Sequence, residues 1–175
     1  VLCGVSVIVA YMLLGACWLI MKTEGHLRDG AYRWARLLLV AVLAAIVLVS
    51  LATPFLLGTY WDRWFAWPTM AVTAPVPVLV ALVALALVRT LAARRDYWPF
   101  PLALALFALC FLGLGVSVYP YIVPGSLTIW QAAAPEKSQA FFIVGVVLLI
   151  PVILVYTGYS YWVFRGKVGA DAGYH

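Results

Sequence analysis

Long apolar stretches separated by short polar segments dominate the chain. Five stretches of 17 to 23 residues contain no charged side chain, and they cover residues 2–21, 37–57, 72–88, 100–119 and 140–162. About 20 helical residues span the roughly 30 Å hydrocarbon core of a bilayer. None of the stretches shows the alternating pattern of a membrane β-strand. The pattern therefore predicts an all-α polytopic membrane protein, a bundle with five transmembrane helices in this chain.

Composition and charge agree with a membrane protein and indicate its orientation. Hydrophobic residues make up 67% of the chain and charged residues only 10%, against about 25% charged in soluble domains. The basic residues form no run that would favour nucleic acid as a partner. Nine of the 11 basic residues follow the first, third and fifth stretches, namely Lys22, Arg28, Arg33, Arg36, Arg89, Arg94, Arg95, Arg165 and Lys167. By the positive-inside rule this side, and with it the C-terminus, is predicted to be cytoplasmic.

The segment SLTIWQAAAPEKSQ, residues 126–139, is longer than a turn between two helices requires. We expect Pro120 and Pro124 to end the fourth helix before it. We expect residues 126–134 to form a short interfacial helix or a folded-in loop, with Trp130 at headgroup depth. Ser138 is predicted to cap the fifth helix.

Few residues offer chemistry inside the predicted spans. The ionisable residues nearest to a span are Lys22, Glu24 and Arg165, which we interpret as a boundary ion pair or snorkelling side chains rather than a proton path. His26 is expected in a loop, His175 is the last residue, and Met12 is expected to fill the core. We predict no catalytic, cofactor-binding or metal-binding residue in this chain. The residues predicted to have a structural or interface role are Trp130, Gln131, Lys22, Glu24 and Arg165.

Four strings carry a family resemblance. They are WLIMKTEG (18–25), RWFAWP (63–68), SVYPYIVPGSLTIWQAAAPEKSQ (117–139) and YTGYSYWVFRGKV (156–168). In this order they resemble subunit II of the cytochrome bd-type quinol oxidases, including the cyanide-insensitive branch. The resemblance extends from the first helix to Lys167. It implies that residues 1–175 are the C-terminal, five-span portion of a subunit of about nine spans, in agreement with a chain that begins without Met.

The resemblance also implies a function. Members of this family belong to a bacterial inner-membrane oxidase that oxidises quinol and reduces dioxygen to water. Haems b and d are expected in a partner, subunit I, and this chain is expected to support that subunit without catalytic residues. A structural quinone and small accessory subunits are further expected components of the complex. A fragment of a secondary transporter or permease is the alternative, because composition alone does not distinguish the two.

Overall fold

The computed structural model describes residues 2–56, 73–123 and 126–167, and within them the chain is mainly helical. The long helices are α1 (Leu2–Lys22), α2 (Gly25–Leu56), α3 (Pro75–Ala92), α4 (Pro99–Val118) and α6 (Glu136–Val163). All five are long and apolar enough to cross a membrane. A two-stranded sheet and a four-residue helix, α5 (Ile129–Ala132), lie between α4 and α6. The predicted all-α polytopic fold is therefore confirmed.

The described chain divides into two compact units. The first contains α1 to α4 and Lys167, and the second contains residues 118–166. In the first unit, α1 packs against α2 through Leu13, Cys17 and Ile20, and all four helices contribute to one core. Trp18 and Tyr11 of α1 meet Phe100 and Phe107 of α4, with ring centroids 5.0 and 5.3 Å apart. Close van der Waals and aromatic packing of this kind stabilises helix association within a bilayer.

Helix α2 begins earlier than the sequence indicated. The expected span started at residue 37, yet the helix starts at Gly25 and includes His26, which was expected in a loop. Its first third is amphipathic: Ala31, Tyr32 and Ala35 are buried, while Arg33 is exposed. A helix of 32 residues is about 48 Å long, which exceeds the roughly 30 Å of hydrocarbon. The polar first third of α2 can therefore extend beyond the hydrocarbon.

Proline residues mark the starts of the next two helices. Pro75 occupies the first turn of α3, where proline is tolerated because an N–H at that position has no partner in any helix. Pro99 likewise begins α4, which ends at Val118, just before Pro120. Pro124 lies outside the described residues, as do Arg63 and the string RWFAWP. Helix α6 continues through Pro151.

The second unit contains a small hairpin and a short helix between α4 and α6. Strand β1 (Tyr121–Val123) pairs antiparallel with β2 (Leu127–Thr128), and α5 follows directly. The prediction that Ser138 caps the last helix is wrong. Pro135 is the N-cap, and Ser138 lies inside α6, where its backbone N–H donates to the Pro135 carbonyl at 2.9 Å.

Candidate functional site

The most developed polar site lies at the turn between α3 and α4. Helix α3 ends at Ala92, and the N–H of Ala93 donates to the carbonyl of Arg89. Arg94 has a φ of 51°, a left-handed conformation that reverses the chain. The N–H of Arg95 then donates to the carbonyl of Thr90 at 3.0 Å. This turn holds Asp96 in place before α4 begins.

Three side chains from other parts of the sequence converge on the Asp96 carboxylate. Arg28 Nη1 donates to Oδ2 at 3.2 Å, and the Tyr32 hydroxyl donates to Oδ1 at 3.0 Å. Lys167 Nζ donates to Oδ2 at 2.6 Å. We call these four residues the Asp96 cluster. Only 19% of the Asp96 side chain is exposed, so its charge interactions are screened less by water than those of a surface pair.

The cluster favours the ionised form of Asp96. Partial burial is the largest single effect and opposes ionisation, but other effects together exceed it. These are the hydrogen bonds from Lys167 and Tyr32 and the positive charges of Lys167 and Arg28, and they hold the pKa of Asp96 below its ordinary value. A carboxylate with a lowered pKa keeps its negative charge at neutral pH. The arrangement is that of an electrostatic anchor rather than a proton donor.

Further contacts extend the anchor across the same end of the first unit. Arg94 pairs with Asp29 at 2.9 Å and lies 5.6 Å from the centre of the Tyr32 ring. Lys167 also approaches Glu24 at 4.0 Å and lies over the Tyr97 ring at 5.6 Å. These contacts link the α1–α2 turn, the start of α2, the α3–α4 turn and the segment after α6.

Each of the three ionisable residues that the sequence singled out has a described contact. Glu24 pairs with Lys167, whereas Lys22 lies over the Trp18 ring at 5.3 Å. Arg165 lies over the Trp162 ring at 5.1 Å.

The other two singled-out residues lie in α5. Gln131 and Thr128 form a reciprocal capping box: the Thr128 N–H donates to Gln131 Oε1 at 3.0 Å, and the Gln131 N–H donates to Thr128 Oγ1 at 3.4 Å. The Trp130 ring meets the Tyr119 ring edge to face, with centroids 6.0 Å apart. The Trp130 side chain is nevertheless largely exposed. Gln131 thus has a local structural role, and Trp130 presents an apolar surface.

Among the described residues, two of the candidate haem ligands are exposed. Within residues 2–56, 73–123 and 126–167, no three His, Cys, Asp or Glu side chains form a group that could hold a metal ion. Haem iron takes axial His, Met, Cys or Tyr ligands. His26 and Met12 are both exposed, so neither provides a buried ligand. His175 lies outside the described residues.

Comparison with known proteins identifies the family. The family model for cytochrome bd terminal oxidase subunit II matches residues 1–164. The chain belongs to this family. The resemblance seen in the sequence is thereby confirmed, and the five apolar helices agree with a membrane subunit.

Curated relatives carry the same description. The chain is 31% identical over 104 residues to cytochrome bd-I ubiquinol oxidase subunit 2 of Escherichia coli K12, a match that covers 53% of this chain and 27% of the relative. It is 22% identical over 174 residues to cytochrome bd ubiquinol oxidase subunit 2 of Bacillus subtilis 168, which covers 96% of this chain and 50% of that relative. The chain thus spans half or less of the length of these relatives.

Proposed function

We propose that this chain is the non-catalytic, C-terminal portion of subunit II in a terminal oxidase that oxidises quinol and reduces dioxygen to water. The observation that carries the proposal is the family match over residues 1–164. The relatives from Escherichia coli and Bacillus subtilis are both described as subunits of ubiquinol oxidases. Ubiquinol, or a quinol of the same class, is therefore the proposed electron donor.

In this proposal the haems reside in subunit I, and this chain supports that subunit. Two structural observations favour a supporting role. The polar cluster around Asp96 holds its carboxylate ionised, which suits an electrostatic anchor. In addition, α6 buries none of its residues within this chain. A long apolar helix with every side accessible can contact lipid or partner helices along its whole length.

A complementation experiment tests the assignment. Deleting the gene for the full subunit from its host should abolish quinol-dependent oxygen consumption by that oxidase, and re-expression should restore it. The purified complex should contain subunit I and show the absorbance of haems b and d. A colourless preparation that binds a solute would instead support the alternative of a transporter.

We further propose that the protein resides in the bacterial inner membrane with its C-terminus in the cytoplasm. The support is the distribution of basic residues, nine of which lie on one side. Single cysteines introduced into a cysteine-free full subunit at Arg95 and at Lys137 should react with an impermeant maleimide from opposite sides. Arg95 should be labelled only after the cytoplasmic face is opened. Labelling of both positions from the same side would contradict the topology.

A further inference from the structure

An open groove between α2 and α3 combines an apolar floor with an arginine at one end. Residues Leu39, Val40 and Leu43 of α2 face Val88 and Leu91 of α3, and Arg36 closes the end nearest the α3 C-terminus. Its volume of about 480 Å³ lies in the range of roughly 300–1,000 Å³ typical of small-molecule sites. Val40 is 69% exposed, so the groove opens to the surroundings of the helices.

Arg36 is held in position by the end of α3. Its Nη2 donates to the carbonyl of Leu91 at 3.1 Å. In the described part of the chain, this is the one hydrogen bond that the guanidinium makes, although the group has five N–H donors in a planar fork. A guanidinium that is fixed in place with donors to spare is suited to bind a phosphate through two parallel hydrogen bonds.

The pairing of charges at this end of the first unit leaves Arg36 without a carboxylate. The acidic residues described there are Glu24, Asp29 and Asp96, and they pair with Lys167, Arg94 and Arg28. Among residues 2–56, 73–123 and 126–167, no carboxylate forms an ion pair with Arg36 or with Arg33, one turn earlier on α2. An anion from outside these residues would therefore complement two neighbouring positive charges.

The dimensions of the groove fit a lipid. From Arg36 to Leu43 the helix rises about 10 Å, which is two thirds of the roughly 15 Å depth of one leaflet. Arg36 precedes the charge-free stretch of α2, so its depth corresponds to the headgroup layer. Basic pockets between transmembrane helices bind the headgroups of anionic lipids. We propose that this groove binds one anionic phospholipid, with the phosphate on Arg36 and an acyl chain along Leu39, Val40 and Leu43.

The test uses the purified oxidase complex with the full-length subunit, titrated with dioleoylphosphatidylglycerol and followed by native mass spectrometry. Arg36→Gln removes the positive charge. Val40→Trp fills the groove but keeps the Arg36 guanidinium, which donates to the Leu91 carbonyl. Both variants should weaken the tightest phosphatidylglycerol site by about tenfold. Arg36→Lys should retain part of the affinity, because the charge remains but the fork is lost.

Two control variants separate the groove from general effects of charge and bulk. Arg165→Gln removes one positive charge at a residue that does not line the groove. Val47→Trp places the same bulk on α2 seven residues further along, on nearly the same helix face but beyond the groove. Both control variants should bind phosphatidylglycerol as the wild type does. In the wild type and both controls, dioleoylphosphatidylcholine should bind more weakly than phosphatidylglycerol.

Three results would overturn the proposal. One is equal binding by the wild type, Arg36→Gln and Val40→Trp, as expected if another part of the subunit covers the groove. Another is equal affinity of the wild type for the zwitterionic and the anionic lipid. The third is displacement of phosphatidylglycerol by inorganic phosphate at equal concentration, which would indicate a simple anion site. The measurement is of binding, so its outcome is independent of whether the chain supports quinol oxidation.

Discussion

At the scale of single residues, Asp96 is the charge on which one end of the first unit depends. Asp96→Asn keeps the shape of the side chain and an acceptor for Tyr32 but leaves Arg28 and Lys167 without their anion. We expect a loss of about 1–3 kcal/mol in the free energy of unfolding, since both cations lose a partly buried partner. Thermal unfolding of the purified complex would measure it.

Asp29→Asn is the matched control for this substitution. The Asp29–Arg94 pair has nearly the same separation, 2.9 Å, but its side chains are 50% and 60% exposed. Exposed ion pairs contribute only about 0–1 kcal/mol, because water and salt screen them. Equal losses of stability in Asp29→Asn and Asp96→Asn would show that burial of the cluster has no special effect.

The lowered pKa of Asp96 predicts a specific dependence on pH. The folded state favours the ionised carboxylate, so its contribution to stability is present above the ordinary pKa of 3.8 and is lost as pH falls through the lower folded pKa. Glu24 also faces Lys167, so the comparison with Asp96→Asn is needed to isolate Asp96. The difference in melting temperature between wild type and Asp96→Asn should shrink as the medium is acidified below that value. A difference that stays constant or grows would contradict the pairing.

Sequence reasoning could not find this cluster, although its members are among the few charged residues. Asp96 is separated from Arg28, Tyr32 and Lys167 by 68, 64 and 71 positions. The tertiary packing of the first unit, which includes Lys167, brings residues so distant in sequence together. The sequence does show Asp96 directly after Arg94 and Arg95 at the end of a span. This pattern indicates a turn, but it does not indicate which side chains bind Asp96.

At the scale of helices and strands, the hydrophobic pattern predicted the five spans because length and apolar content alone decide membrane insertion. It failed at the start of α2, where the helix already includes Arg28, Asp29 and Arg33, which lie before the charge-free stretch. The helix continues there because these residues lie beside a buried face of Ala31, Tyr32 and Ala35. An amphipathic extension of this kind is visible in the 3.6-residue period but not in a search for uncharged stretches.

The capping box of α5 gives a prediction at the same scale. A helix of four residues has few internal hydrogen bonds, so its cap is a large part of its stability. Thr128→Val removes the acceptor for the Gln131 N–H at a cost of about 0.5–2 kcal/mol. Hydrogen exchange should show faster exchange of the Gln131 amide in Thr128→Val but not in Thr128→Ser, which keeps the hydroxyl. Equal protection in all three proteins would mean that other contacts hold the segment.

At the scale of the whole molecule, the described chain is mostly surface. In each of the five candidate spans, at most 22% of the residues in the most apolar segment are buried inside the chain. In α6, none of these residues is buried. Family members are longer than this chain, and the match covers half or less of their length. The exposed apolar area is therefore available to lipid and to the proposed partner subunit I.

Trp130 offers a way to test that interpretation. Its side chain is 66% exposed, and its described ring contact is with Tyr119. Loss of one aromatic pair costs only about 0.5–1.5 kcal/mol, whereas an exposed Trp that becomes buried at an interface often contributes at least about 2 kcal/mol to binding. Trp130→Ala should therefore weaken assembly more than it destabilises this chain. We expect several-fold less oxidase complex in the membrane, with turnover per haem d in the remaining complex near that of the wild type.

Trp130→Phe should restore most of the complex, because it keeps a ring that can pack against the partner and against Tyr119. Quantifying haem d by absorbance and oxygen consumption per haem d in the same membranes separates abundance from turnover. If Trp130→Ala left abundance intact and sharply reduced turnover per haem d, the hairpin and α5 would belong to the path of quinol or oxygen. The role of this segment would then be catalytic support at the reaction site, and the proposal that it serves assembly would be wrong.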